Sequence, residues 1–217
     1  MQSGVDYYNE KSTVSGSPYE QNGQVLNTLF RFGFTERFEL GAGFNLRQDE
    51  FKLGGFSSSK KGINGLTFHL RNNIVSEEGN RPSMGLQFNL NLPYATGTYS
   101  GNNMSSKIAF HLDKTIMSNN MVTFNSGLEW NENVVPVGFY ILSFGHNFTS
   151  KFGAFVEYYT FIQGGVFDHK FDGGFAYLVN NNFQLDLSIG YDKNNSGMEA
   201  FFVSAGVSWR INEKTGK

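Results

Sequence analysis

The chain contains no cysteine. That excludes a disulfide framework, thiolate metal ligation and a cysteine nucleophile together. Charge is scarce as well. Only 17% of residues are Asp, Glu, Lys or Arg, against about 25% in a soluble globular domain. The 17 basic and 19 acidic residues nearly cancel, to a formal net charge of −2, so nothing points to the basic surface that nucleic acid requires. No apolar run approaches the ~18–20 residues of a transmembrane helix. No signal peptide is evident either, so a membrane reading implies a mature chain with Met1 as an addition.

What is abundant is aromatic and small: 23 Phe, 10 Tyr and 26 Gly against 4 Pro. Mean hydropathy is −0.34, which a hydropathy plot reads as soluble. A membrane strand, however, shows lipid only every second residue, and averaging both faces hides an apolar band. Period-two alternation recurs throughout. Phe38, Leu40, Ala42, Phe44 and Leu46 share one face, opposite Arg37, Glu39, Gly41, Gly43, Asn45 and Arg47. Met84, Leu86, Phe88 and Leu90 oppose Gly85, Gln87, Asn89 and Asn91, and Phe183, Leu185, Leu187 and Ile189 oppose Gln184, Asp186, Ser188 and Gly190. Read this way, the chain predicts strands at 3–11, 24–34, 37–50, 63–75, 83–94, 104–115, 121–131, 137–147, 152–162, 169–179, 183–192 and 199–210. Most have the ~9–11 residues that cross a bilayer at a tilt. No helical period, linker or composition break interrupts them.

The connections alternate too. Those at 35–36, 117–120, 149–151 and 180–182 are tight and polar and 77–82 is somewhat longer, while 12–23, 51–62 and 95–103 read as longer loops rich in Gly, Ser and Asn. Two intervening connections, around Asn133 and Asn194, are short. Short periplasmic turns alternating with longer outside loops is the habit of outer-membrane barrels, and it puts both termini in the periplasm. The expectation is an all-β, antiparallel up-and-down transmembrane β-barrel of about 12 strands. It forms a single domain over 1–211, followed by a tail at 212–217.

A soluble barrel would produce the same alternation with its faces exchanged. Three features favour the membrane. The apolar face is too extensive for one small interior. Glycine and short polar residues crowd the opposite face, as a confined lumen requires. Trp130, Trp209 and several Tyr fall near strand ends, where aromatic girdles sit. The lumen would then carry Arg31, Glu39, Arg47, His69, Arg71, Lys107, His111, Asp113, Glu129, Glu157, Asp172, Asp186 and Arg210. Such charges form either a paired network that fills the barrel or charged rings that select solutes along a hydrated path. Membrane lipids, lipopolysaccharide, a small solute and an envelope protein are the partners to expect.

Nothing points to an enzyme, a cofactor or a metal. His69, His111, His146 and His169 show no ligand spacing. Ser143 and His146 fall on opposite faces of one strand, whereas His111 and Asp113 share a face that points into the lumen. Gly41-Ala42-Gly43 and Gly173-Gly174 precede no helix, so close packing within a strand explains them better than phosphate binding.

The closing strands are more particular. Phe155-Val156-Glu157-Tyr158-Tyr159, Asp172-Gly173-Gly174-Phe175-Ala176-Tyr177-Leu178-Val179-Asn180, Gln184-Leu185-Asp186-Leu187-Ser188 and Phe201-Phe202-Val203-Ser204-Ala205-Gly206-Val207-Ser208-Trp209-Arg210 resemble those of the outer-membrane transporter family associated with the phenol meta-degradation pathway. Arg31-Phe32-Gly33-Phe34-Thr35-Glu36-Arg37-Phe38-Glu39-Leu40 resembles its early hairpin, and Leu90-Asn91-Leu92-Pro93 a strand that ends in proline. The resemblance implies an outer-membrane barrel for small, often aromatic or hydrophobic compounds, without catalytic residues. It places Arg31, Glu157, Asp172, Asp186 and Arg210 at charged lumen positions.

Overall fold

The computed structural model describes residues 1–99, 103–130, 135–193 and 197–211, and no helix occurs among them. Twelve strands follow in chain order: β1 Gln2–Val14, β2 Ser17–Gly33, β3 Phe38–Leu53, β4 Phe56–Val75, β5 Ser83–Ala95, β6 Ser105–Ile116, β7 Asn120–Trp130, β8 Pro136–Asn147, β9 Phe152–Gln163, β10 Val166–Asn180, β11 Phe183–Lys193 and β12 Glu199–Trp209. Each pairs antiparallel with its neighbours in sequence, and β12 pairs back onto β1 to close the barrel. Closure leaves no sheet edge, and hydrocarbon tolerates no unpaired edge. The seam is locked at its end by the Met1 ammonium donating to the Trp209 carbonyl and the Trp209 N–H donating to the Met1 carbonyl, both at 2.8 Å.

Cross-strand register keeps the two faces apart around the whole circumference. On the convex face Phe32, Val156 and Ile189 are more than 60% exposed, whereas on the concave face Asp49 and Ala109 are 2% and Phe139 4% exposed. Charges point inward and hydrocarbon outward, the inverse of a soluble barrel. Aromatic rings gather on the outer face near both ends. Phe148, Phe152 and Phe175 stack in series at one end, and Tyr7 with Phe201 and Tyr140 with Tyr158 meet at the other.

Two expected loops are strand instead. The segments at 12–23 and 51–62 continue the ladder to tight turns. The β1–β2 hairpin reverses at Ser15-Gly16 and the β3–β4 hairpin at Gly54-Gly55. Ser15 and Gly16 both have positive φ, 51° and 80°, which matches the twist of a two-residue hairpin turn. β2 and β4 reach 17 and 20 residues as a result. The hydrophobic period fades here because Asn9, Lys11, Glu20, Asn22, Glu50 and Lys52 stand on the outward face of this upper wall. Both faces there are polar, so alternation is lost while backbone pairing persists. The connections around Asn133 and Asn194, and the tail at 212–217, lie outside the described residues.

The turn between β4 and β5 is fastened to β6. Glu77 accepts hydrogen bonds from Lys114 Nζ at 2.8 Å, from the Thr115 N–H at 3.0 Å and from its hydroxyl at 2.9 Å. Lys114 foremost, with Thr115, holds the Glu77 carboxyl below its ordinary range. A depressed folded value means the clamp is fully present above the ordinary glutamate pKa and is lost as pH falls through the lowered one. A carbon-detected NMR titration should therefore find the Glu77 midpoint below that of glutamate in an unstructured peptide. A second expectation concerns lipid contact. Leu187 faces outward near the middle of β11 and is 52% exposed. Leu187→Arg should cost about 2–4 kcal/mol in denaturant unfolding from lipid vesicles.

Candidate functional site: the barrel lumen

The inner face divides by electrostatics. Across β2–β7 most of the charges are paired, Arg71 and Asp113 being exceptions among the described residues. Arg31 lies 3.6 Å from Glu39, and Glu39 lies 3.5 Å from His69 Nε2, whose Nδ1 meets Asn89 at 3.0 Å. Arg71 stands directly across from Glu39 on one side and Gln87 on the other. Lys107 and Glu129 face each other at 3.7 Å, and the ammonium also sits 3.9 Å above the Phe139 ring. His111 bonds Asn125 at 2.5 Å, and Asp113 accepts from Thr123 at 2.7 Å.

Across β9–β12 and β1 the acids have little cationic company. Glu157 and Asp172 are direct cross-strand partners, two carboxylates side by side. Asp186 accepts from Gln184 at 2.6 Å, and Asp6 from Asn27 and Ser204. None of Asp6, Glu157, Asp172 or Asp186 has an ion-pair partner among the described residues, and Asp172 Oδ1 is buried without a hydrogen bond. Only higher up does Lys170 bridge Asp168, at 3.3 Å, and Asp192. The ion pairs therefore rigidify one sector and leave a second sector acidic.

At the end of the barrel away from the termini a four-residue network joins β1, β3 and the segment that follows β5. Asp49, 2% exposed, accepts from the Tyr8 hydroxyl, from Arg47 Nε at 2.8 Å and from the Tyr99 hydroxyl at 2.7 Å. Arg47 also donates to the Tyr8 hydroxyl. Tyr99 follows a segment that extends the β4 ladder, in which Thr96 and Thr98 N–H groups donate to Ile63 and Lys61 carbonyls at 3.1 Å. Burial and then the Asp49 carboxylate raise the Tyr99 phenol above its ordinary pKa. It remains a hydrogen-bond donor.

Open space follows the remaining wall. A cavity of about 710 Å³ opens at the end of the barrel that carries both termini, among Gln2, Arg31, Gln184, Ser208 and Arg210. It shares Gln2 and Ser208 with a cavity of about 350 Å³ that climbs past Gly4 and Gly206 to Asp6 and Ser204. It shares Gly33 and Glu39 with a third, of about 380 Å³, lined by Arg71, Gly85 and Asp113. Gly4, Gly33, Gly85 and Gly206 line these spaces, whereas Gly41 permits close packing between strands. A Cβ at Gly41 would lie 3.0 Å from the Phe30 carbonyl and 3.2 Å from His69 Cβ.

Of the residues expected in the lumen, twelve lie on strands, with their charged groups directed to the inner face. Arg210 lies one residue past β12, at the mouth on the side of the termini. His111 and Asp113 are neighbours on that face but bond to different partners, and His146 pairs with Asn120 at 2.6 Å. No group of three or more His, Asp or Glu able to hold a metal occurs among the described residues. Sequence reading missed Tyr8, Asp6, Asp49, Lys170, Asp192 and Tyr99. Asp49 has the parity of Arg47 and Glu39, a signal present in the strand pattern. Tyr99 follows β5, where no period marks it.

The fold and its charged interior define an outer-membrane-type transmembrane β-barrel. The family model described as "Putative MetA-pathway of phenol degradation" matches residues 7–211, and the chain belongs to that family. Among curated proteins none matches the sequence significantly. Among solved structures it is similar to an outer-membrane channel from Pseudomonas putida F1, with 15% identity, 95% of this chain and 94% of the other covered, and a TM-score of 0.67. The translocator domain of the autotransporter NalP from Neisseria meningitidis has 10% identity, covers 97% and 87%, and gives a TM-score of 0.70. The Pseudomonas putida toluene transporter TodX has 8% identity, covers 96% and 88%, and gives 0.56.

The buried network yields a stability expectation. Asp49→Ala strips Arg47 and two phenols of their common acceptor, and because Arg47 is partly exposed the cost should fall near the low end for a broken buried pair, about 3 kcal/mol. Urea titration of the detergent-solubilised barrel measures it.

Proposed function

We propose that this chain is a passive outer-membrane channel of a Gram-negative bacterium. It admits small hydrophobic or aromatic solutes and keeps both termini in the periplasm. The observation that carries the reading is the chain of cavities sharing Gln2, Ser208, Gly33 and Glu39, which leaves the lower lumen open where a structural plug would be packed. Rings among the charges support an aromatic cargo: Phe139 beneath Lys107, and Tyr8 beside Arg47. A toluene transporter among the fold's neighbours points the same way. The lumenal charges act in selection. Lysines on the outward upper wall, Lys11 and Lys52, face the level of lipopolysaccharide head groups. No catalytic pair supports an enzymatic reading, since His111 and Asp113 are engaged separately.

The unpaired acids predict the sign of ion selectivity, because charged walls favour counter-ions. In planar bilayers under a KCl gradient the reversal potential should show cation preference, reduced by Glu157→Gln with Asp172→Asn. Liposome swelling with small solutes gives the independent test of passage. A folded barrel with neither conductance nor swelling would sink the channel reading and leave a structural or partner role in the envelope.

A further inference from the structure

Going up the seam, the lumen-facing pairs are Gly4 with Gly206, Asp6 with Ser204, and Tyr8 with Phe202. The first two pairs line the climbing cavity, and the third stands where it ends. The two rings are held differently. Tyr8 is tethered through its hydroxyl to Asp49 and Arg47, with its ring against Gly23. Phe202 has no polar anchor. Its ring rests against Gly190 of β11, its direct cross-strand partner. The three atoms nearest to a Cβ built at Gly190 all belong to that ring, and such a carbon would overlap it.

Other seated rings are different in kind. Phe139 lies on Gly127 and Phe155 on Gly174, but a Cβ at either glycine would also strike a backbone carbonyl, of Ile108 or Leu187. A methyl there would break the ladder. At Gly190 the nearest atoms met are all of one side chain, and a ring pushed off an inward-facing seat moves toward the lumen.

We propose that Phe202 sets the bore of the outer lumen, and that the missing side chain at Gly190 is what keeps its ring out of the path. The inference rests on the channel reading above. Gly190 is then a specificity-determining position although its own atoms need never touch a solute. With the ring seated, the passage accepts solutes that slide along an aromatic face. With the ring raised, it excludes the bulkier ones first.

The test compares single-channel conductance and liposome swelling for wild type, Gly190→Ala, Phe202→Ala and the double variant, with heat-shifted gel migration certifying each folded barrel. Gly190→Ala should lower conductance by about two-fold or more and slow large solutes more than small ones. Phe202→Ala should raise both. The double variant should match Phe202→Ala, because no ring remains to be displaced. A conducting wild type with an unchanged Gly190→Ala, or a double variant that stays as low as Gly190→Ala, overturns this inference alone. Should Gly190→Ala not fold, a Phe202→Ala conductance equal to wild type overturns it. A wild type that conducts nothing overturns the channel reading and this one together.

Discussion

Everything in this molecule follows from the need to hydrogen-bond a whole sheet without water. In hydrocarbon an unpaired N–H or carbonyl costs several kcal/mol, so β12 must return to β1, and the ten register pairs between them complete the ring. Closure in turn fixes a perimeter and so a limited interior. Once the wall exists, every inward side chain competes for the same confined space, and every outward one meets lipid.

That confinement explains the chemistry of the inner face. Glycines there are not merely small residues in a strand. They are the seats against which Tyr8, Phe139, Phe155 and Phe202 rest, in the space a Cβ would otherwise fill. Charges obey the same constraint. Where strands bring opposite signs together, as at Arg31, Glu39 and Lys107, Glu129, they pair. Where register sets Glu157 against Asp172, they do not. An acidic sector beside a paired one gives the lumen a direction across its width, and one open cavity is lined by the acids Asp6 and Asp186 themselves.

Much of this was legible in advance because strand side chains alternate strictly. The run from Phe38 to Arg47 declared its faces residue by residue, and the inward set Glu39, His69, Lys107, Glu157 and Asp186 emerged from parity alone. Legibility failed where the physics of alternation failed. Beyond the apolar band Lys11, Glu20 and Lys52 make the outer face polar, so strand and loop look alike, and two hairpins read as loops in the sequence. Tyr99 was invisible for another reason. It follows its strand, and its partner Asp49 is fifty positions away in the chain.

By itself the sequence determined the class of wall: period-two hydrophobicity with charge on the glycine-rich face permits a closed barrel in lipid, because period-two patterning commits a side for every residue. Tertiary structure decided which inward groups meet. Pairing of Arg31 with Glu39, isolation of Asp172, the Asp49 network and the seat of Phe202 on Gly190 all depend on register and closure between strands. Those relations are set by a hydrogen-bond ladder that joins residues distant in sequence, and local pattern carries no record of them.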